Sequence, residues 1–313
     1  MNRIIGRHIG TKPGPFVVVF AALHGNEPAG VQALEKVLQM LEREKNTNPT
    51  FVFHGQMLAL LGNRQAFASG QRFLKKDLNR LWTPANIQRI RETGRAELDA
   101  EDLEIAELLD LLHEELTASK SEVLVLLDLH TTSADGGIFC IPTDDAASLR
   151  LAKQLHAPVI LGLLQGIQGT LLQFATENRF GTGGFPKHTL GVAFEGGQHH
   201  DPLSVSRLVS GTLHCLRASG CIDMAALASP HDQILKNYSA DLPKVTRVRH
   251  VHHIRPGDNF QMRPGYVNFQ PVFKDEVLAE DVEGSILAPD DSLILMPLYQ
   301  KQGSDGFFLV DEI

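Results

Sequence analysis

The chain has 313 residues, 43% of them hydrophobic and 21% charged, which allows a large core and lies outside the compositions of disordered, collagenous or low-complexity chains. A formal charge of −8 argues against a general nucleic-acid or anionic-membrane surface, and no apolar run reaches the length of a membrane span. The start, Met1-Asn2-Arg3-Ile4-Ile5-Gly6, lacks a signal-peptide core, and Cys140, Cys215 and Cys221 show neither a metal spacing nor a disulfide framework, so a reducing cytoplasm is the expected compartment.

In chain order, the run from Pro15 to Leu23 reads as a buried strand. It leads into His24-Gly25-Asn26-Glu27, after which Pro28 suits the first turn of a helix over about Ala29 to Arg43. Phe51 to Leu61 reads as a second strand, Leu103 to Leu116 as a second helix, and Glu122 to Leu129 as a third strand. A helix over Leu149 to Leu155, strands over Val159 to Leu164 and Thr189 to Phe194, and a helix over Leu203 to Ala218 complete this part. The alternation of strands and helices predicts an α/β layer architecture. Character changes near Asn237 to Pro243. Short alternating stretches follow at Val245 to Ile254, Val267 to Val272, Ser292 to Leu298 and Gly306 to Val310, separated by Pro-Gly and Asp pairs. They predict a small all-β domain over 241–313, after an α/β domain over 1–240.

Three ionisable residues share one local context. His24 follows the strand expected to end at Leu23, His130 the strand expected to end at Leu129, and Glu195 the strand expected to end at Phe194. Open α/β sheets bind ligands outside the carboxyl ends of their strands, so separate segments deliver imidazole, imidazole and carboxylate to one edge. Glu27 joins them through the tight His-Gly-Asn-Glu turn. Two His and one Glu form a common catalytic zinc set that leaves a position open, and Asp128 stands two residues before His130 as a partner for its ring. The bland alternative is real. With 14 histidines in the chain, one at a strand end is usually a polar residue satisfied by loop backbone, and Glu27 alone would suit the positive end of the following helix. Only the joint placement singles these residues out.

A basic island stands out from the acidic background: Arg64, Arg72, Lys75, Lys76 and Arg80 against the single acid Asp77. Such an island is a solvated face or a place where a small anion is held. His250, His252 and His253 alternate as on a half-exposed strand, and His199 and His200 read as loop polarity near the pocket mouth. Gly181-Thr182-Gly183-Gly184 lacks the context of a phosphate-binding loop, and Trp82 reads as a packing residue.

Leu23-His24-Gly25-Asn26-Glu27, Lys76-Asp77-Leu78-Asn79-Arg80, Asp128-Leu129-His130-Thr131-Thr132 and Phe194-Glu195-Gly196-Gly197 occur in that order over roughly residues 16 to 200. Together they closely resemble the aspartoacylase and succinylglutamate desuccinylase family, a branch of the zinc carboxypeptidase-like superfamily. The resemblance implies an α/β fold, with a mixed sheet flanked by helices and a smaller C-terminal all-β domain. It also implies one zinc ion per chain held by His24, Glu27 and His130, with Glu195 as the catalytic carboxylate. Arg72, five residues before Asp77, matches the arginine that helps polarise the scissile carbonyl, and Asn79 and Arg80 match the pair that holds the substrate's carboxylate. Tyr299, in Tyr299-Gln300-Lys301-Gln302, resembles a tyrosine that the second domain sends to the site. The family's arginine that reads the aspartate side chain has no clean match, the nearest basic residues being Arg179 and Lys187.

The expected activity is zinc-dependent hydrolysis of the amide bond of a small anionic N-acyl amino acid. Zinc supplies an acidified water and a polarised carbonyl, Glu195 moves the proton, and Arg80 offers a planar fork to a carboxylate. The competing readings are a metallocarboxypeptidase acting on short peptides and a zinc-binding protein without turnover. No nucleic-acid or membrane partner is expected; the acyl group, the amino acid and self-association stay open.

Overall fold

The computed structural model describes residues 2–177, 188–224, 227 and 231–313. In chain order the elements are β1 (Ile4–Ile9), β2 (Lys12–Ala21), α1 (Ala29–Thr47), β3 (His54–Leu61), α2 (Arg64–Ser69), α3 (Pro84–Glu92), α4 (Ala100–Ala118), β4 (Val123–Thr132), β5 (Phe139–Pro142), α5 (Ala146–Lys153), β6 (Val159–Leu161), α6 (Leu163–Gly166), α7 (Leu171–Thr176), β7 (His188–Gln198), α8 (Ser204–Ala218) and α9 (His231–Tyr238). Strands follow from there: β8 (Val245–His253), β9 (Gln261–Met262), β10 (Gln270–Val272), β11 (Val277–Asp281), β12 (Gly284–Leu287), β13 (Ser292–Leu295) and β14 (Asp305–Glu312).

Among the described residues, eleven strands form one mixed sheet in the order β1-β3-β2-β4-β7-β5-β6-β8-β14-β13-β10, and β12-β11-β9 form a second, small sheet. Its centre is parallel: β2 pairs with β3 and β4, and β4 pairs with β7. These strands are continuous apolar runs because both faces are covered. In β2, Phe16, Val18 and Phe20 enter one core cluster and Val17, Val19 and Ala21 the other, as the two-residue period of a strand requires. The first cluster takes Ile105, Leu108 and Leu112 from α4, and the second takes Leu34, Val37 and Leu41 from α1. Each such side chain contributes roughly 1.5–3 kcal/mol of transfer free energy on full burial, so the ladder at the centre is held from both sides. The result is the expected mixed α/β class, with helices on both faces of a large sheet.

Several elements are shorter than their apolar pattern suggests, each bounded by a residue with positive φ. Gly162 (φ 78°) turns the chain out of β6 and into α6, so the strand expected to reach Leu164 stops at Leu161. Phe269 (φ 66°) delays β10, and Met296 (φ 52°) closes β13 at Leu295. Four of the seven strands after residue 240 join the central sheet, and the other three form the small one. β8 pairs in parallel with β6, extending the central sheet through β14, β13 and β10. β14 alternates between two cores: Phe308 and Val310 join the large cluster, while Phe307 and Leu309 pack with Met262, Leu278 and Ile294 under the small sheet.

Candidate metal centre and active site

The ladder register decides the site. His130 lies within β4 and is paired with Glu195 within β7, while His24 and Glu27 lie in the turn just beyond β2. The expectation that all three groups follow their strands is corrected here. β4 runs on to Thr132 and β7 to Gln198, because the two strands continue to pair beyond His130 and Glu195. The turn after β2 begins at Ala22, held at φ 53°, a region that costs a non-glycine residue of order 1–3 kcal/mol. Gly25 then passes so close to the loop above it that an added Cβ would lie 2.2 Å from the Ala66 carbonyl carbon, and its N–H donates to Arg72 O at 3.0 Å. Only glycine lets the His24–Glu27 turn and the Arg72 loop approach this closely.

One ligand atom from each of His24, Glu27 and His130 lies within 4.8 Å of the others, and all three residues are buried. Glu27 bridges the imidazoles: Oε1 is 2.9 Å from His24 Nδ1 and Oε2 is 3.0 Å from His130 Nδ1, while the Thr131 N–H donates to Oε2 at 3.0 Å. The second nitrogen of each ring is braced by another carboxylate. His24 Nε2 is 3.1 Å from Asp77 Oδ1, and His130 Nε2 is 2.8 Å from Asp128 Oδ2. Burial alone would raise the Glu27 carboxyl, but the His24 and His130 rings overcome it and hold it well below the usual range. The same competition acts on Asp77, where burial is outweighed by His24 and Arg72. Burial disfavours a charged His130, but Asp128 and Glu27 outweigh it and raise that ring well above its ordinary value.

Glu195 differs from its neighbours. Its Oε2 is buried without a hydrogen-bond partner among the described residues, and burial pushes its carboxyl up to about 8 against the pull of His130. It lines, with the three ligand candidates, a pocket with about 860 Å³ of empty space, part of it open to solvent. Two nitrogens and one oxygen with braced rings are the donor set a divalent, borderline-soft ion such as zinc prefers, and an unpartnered carboxylate beside it is suited to proton transfer.

The remaining candidates divide. Arg72 lines the pocket and its Nη2 donates to Asp77 Oδ2 at 3.0 Å, with Nη1 3.8 Å from Glu27 Oε1. Asn79 and Arg80 line it too. Asn79 Oδ1 accepts from the Leu171 N–H at 3.0 Å, and Arg80 Nη2 donates to Asp305 Oδ2 at 2.6 Å. Tyr299 is not brought to the pocket. Its hydroxyl donates to Arg263 O at 2.8 Å and accepts from the Tyr266 N–H at 2.9 Å, so the phenol is bound to the loop between β9 and β10. The adjacent Gln300 reaches the pocket instead, where its Oε1 accepts from Asn26 Nδ2 at 2.9 Å. Gln300 and Asp305 were not legible as site residues: no local pattern marks them, and only the folding of β14 beside Arg80 brings them in. Arg179, Lys187 and the Gly181–Gly184 stretch lie outside the described residues.

The basic island is mostly neutralised by α4 and the residue that precedes it. Arg64 pairs with Glu107, Lys75 with Asp99, and Lys76 with both Asp99 and Asp102. Glu101, fully buried, accepts the backbone N–H groups of Leu74, Lys75 and Lys76 at 2.7–3.2 Å and so shapes the loop that carries Arg72 and Asp77. His199, expected as loop polarity, bridges Thr131 Oγ1 (2.7 Å) and Gln300 Oε1 (3.3 Å) behind the ligand turn. His252, half-buried, stacks on Phe260 and on Phe307, and the buried Trp82 packs against Phe174.

Residues 13–185, more than half of the chain, match the succinylglutamate desuccinylase/aspartoacylase catalytic domain family. The chain belongs to that family. A protein of Nostoc sp. described as a probable aspartoacylase is 31% identical over 125 residues, a match spanning 40% of this chain and 38% of that protein. A probable aspartoacylase of Prochlorococcus marinus is 25% identical over 302 residues, covering 90% and 87% of the two chains. The crystal structure of a succinylglutamate desuccinylase/aspartoacylase from Rhodobacter sphaeroides superposes with a TM-score of 0.65 at 17% identity, over 96% of this chain and 87% of that one. At that identity the likeness is one of fold. Among the described residues no helix is long and apolar enough to cross a membrane.

Proposed function

We propose that this chain is a zinc-dependent deacylase that hydrolyses the amide bond of a small N-acyl amino acid. The observation that carries the reading is the convergence of His24, Glu27 and His130 within 4.8 Å, both rings braced by carboxylates, in one pocket with the unpartnered Glu195. Zinc at those three residues would polarise an amide carbonyl and lower the pKa of water to roughly 7. Glu195 accepts the proton of the attacking water and returns it to the leaving nitrogen, general base and then general acid. Asp77 and Asp128 fix which nitrogen of each ring faces Glu27. Arg72 is the cation that meets negative charge developing on the carbonyl oxygen. Arg80 offers its fork to the substrate's α-carboxylate, in exchange with Asp305.

The same reading divides the chain into a catalytic unit over 1–240 and a closing unit over 241–313. Its support is that Met296, Leu298, Gln300, Ser304, Asp305 and Phe308 wall the pocket. Such a wall favours a small substrate over a long peptide. The free, buried cysteines suit a reducing compartment. The test is metal analysis of the purified chain with a hydrolysis screen. It crosses acetyl, succinyl and formyl groups with Asp, Glu, citrulline and neutral amino acids, beside a panel of short peptides. One zinc per chain and turnover confined to N-acyl amino acids is the expected result; preferential peptide cleavage would replace the reading with a carboxypeptidase, and zinc binding without any turnover with a non-catalytic role.

A further inference from the structure

Glu101 stands in the first turn of α4, fully buried, and four N–H donors converge on its carboxylate. Its Oε1 accepts from the Leu74 N–H at 2.7 Å and from Asn63 Nδ2 at 3.3 Å, and its Oε2 accepts from the N–H groups of Lys75 and Lys76 at 3.1 and 3.2 Å. Asp102 and Glu104, buried in the same turn, pair with the side-chain cations of Lys76, Arg89, Arg3 and Arg64. The partners of Glu101 are three consecutive main-chain donors and one amide, an arrangement in which successive N–H groups grip an anion.

Both sets of donors lead to the site. Leu74, Lys75 and Lys76 form the middle of the segment between Arg72 and Asp77, which lies outside any helix or strand. At one end of it Arg72 O accepts from the Gly25 N–H at 3.0 Å, and at the other Asp77 Oδ1 lies 3.1 Å from His24 Nε2. Asn63, also fully buried, donates its own main-chain N–H to Ala22 O at 2.8 Å, at the residue whose positive φ opens the His24–Glu27 turn. One carboxylate therefore underlies the two segments that carry His24, Glu27, Arg72 and Asp77. Asn79 and Arg80 have anchors of their own, at Leu171 and Asp305.

We propose that Glu101 is a positioning residue for the reaction, holding the Arg72–Asp77 loop against the His24–Glu27 turn and acting through Arg72 and His24 without touching the substrate. The inference rests on the deacylase reading and adds to it a residue outside the pocket. A glutamine of the same shape keeps one oxygen and sets an NH2 group against donors that the other oxygen had accepted, so the loop must give way. A misplacement on the order of 1 Å at a catalytic group is enough to cost ~10²-fold in rate.

The experiment is a double-mutant cycle of Glu101→Gln with Arg72→Ala in zinc-loaded protein. It is read as kcat and KM for the compound that the wild type hydrolyses fastest in the screen above. Zinc affinity is measured beside it by chelator competition, and stability by chemical denaturation. Glu101→Gln should lower kcat by about 10- to 100-fold and zinc affinity by about 10-fold, the range for groups that hold a metal site's residues from behind. KM should stay within about 3-fold, since Arg80 keeps its own anchor. In the Arg72→Ala background the same change should lower kcat by no more than about 3-fold, because the cation it positions is gone. Where Glu101→Gln does not fold, Glu101→Asp takes its place in the cycle, keeping the carboxylate but drawing it back by one methylene. Losses that simply add, or lower stability with kcat and zinc affinity unchanged, overturn the inference and leave the deacylase reading in place. A wild type that hydrolyses nothing in the screen overturns the deacylase reading and the inference with it.

Discussion

His24, Glu27 and His130 sit on or just beyond neighbouring strands at the centre of the sheet, whereas residues 296–308 reach the same pocket from strands near its far edge. The two walls are built differently. On the first, each imidazole is held from both sides by carboxylates, and Asp77 and Asp128 are themselves buried or nearly so. On the second, Gln300, Ser304 and Asp305 come from a loop and the first residue of β14; Asp305 ties this wall to Arg80, and Gln300 ties it to Asn26 in the turn of the first. On the proposed reading, a centre that would hold an ion and a reacting group in fixed geometry draws on the closely paired middle of the sheet, while the wall that would meet the rest of the substrate can change without moving it.

Four substitutions would break or sharpen that contrast. The largest effect is expected on the central wall: His130→Ala should lose bound zinc and activity together, read by metal analysis and turnover, and full zinc occupancy in this variant would sink the ligand assignment. Glu195→Gln comes next. It should keep its zinc and lose at least ~10²-fold in kcat, the scale of a missing general acid–base, and near-normal turnover would move the proton transfer elsewhere. Asp128→Asn removes charge behind His130 without touching the pocket's donors, so zinc affinity should fall by about 10- to 100-fold in a chelator competition. An unchanged affinity would mean that β4 alone orients the ring. The smallest effect belongs to the edge of the second wall. Tyr299→Phe should cost roughly 1 kcal/mol or less in chemical denaturation, because its two hydrogen bonds are partly exposed to water, and should leave kcat/KM within about 2-fold. A drop of ~10-fold or more in kcat/KM would return Tyr299 to the site.

Much of this protein was legible in its residues because the signals were local. An uninterrupted apolar run such as Phe16–Leu23 reads as a strand covered on both faces. The order of four short motifs, three of them placing a charged group near a strand terminus, pointed to a site at one edge of the sheet. What stayed hidden depends on which strand lies beside which. The pairing of His130 with Glu195 inside their strands follows from the β4–β7 register, and nothing in either segment alone records it. The buried Glu101 that shapes the Arg72 loop looks, in sequence, like any acid in the first turn of a helix. Tyr299 and Gln300 show the limit most plainly. Adjacent side chains leave an irregular segment in different directions, the phenol captured by Arg263 O and the Tyr266 N–H and the amide reaching the pocket beside Asn26. Chain-local chemistry set the elements and the candidate ligands. Long-range pairing decided the partners, because the contact of Arg80 with Asp305 joins residues 225 positions apart.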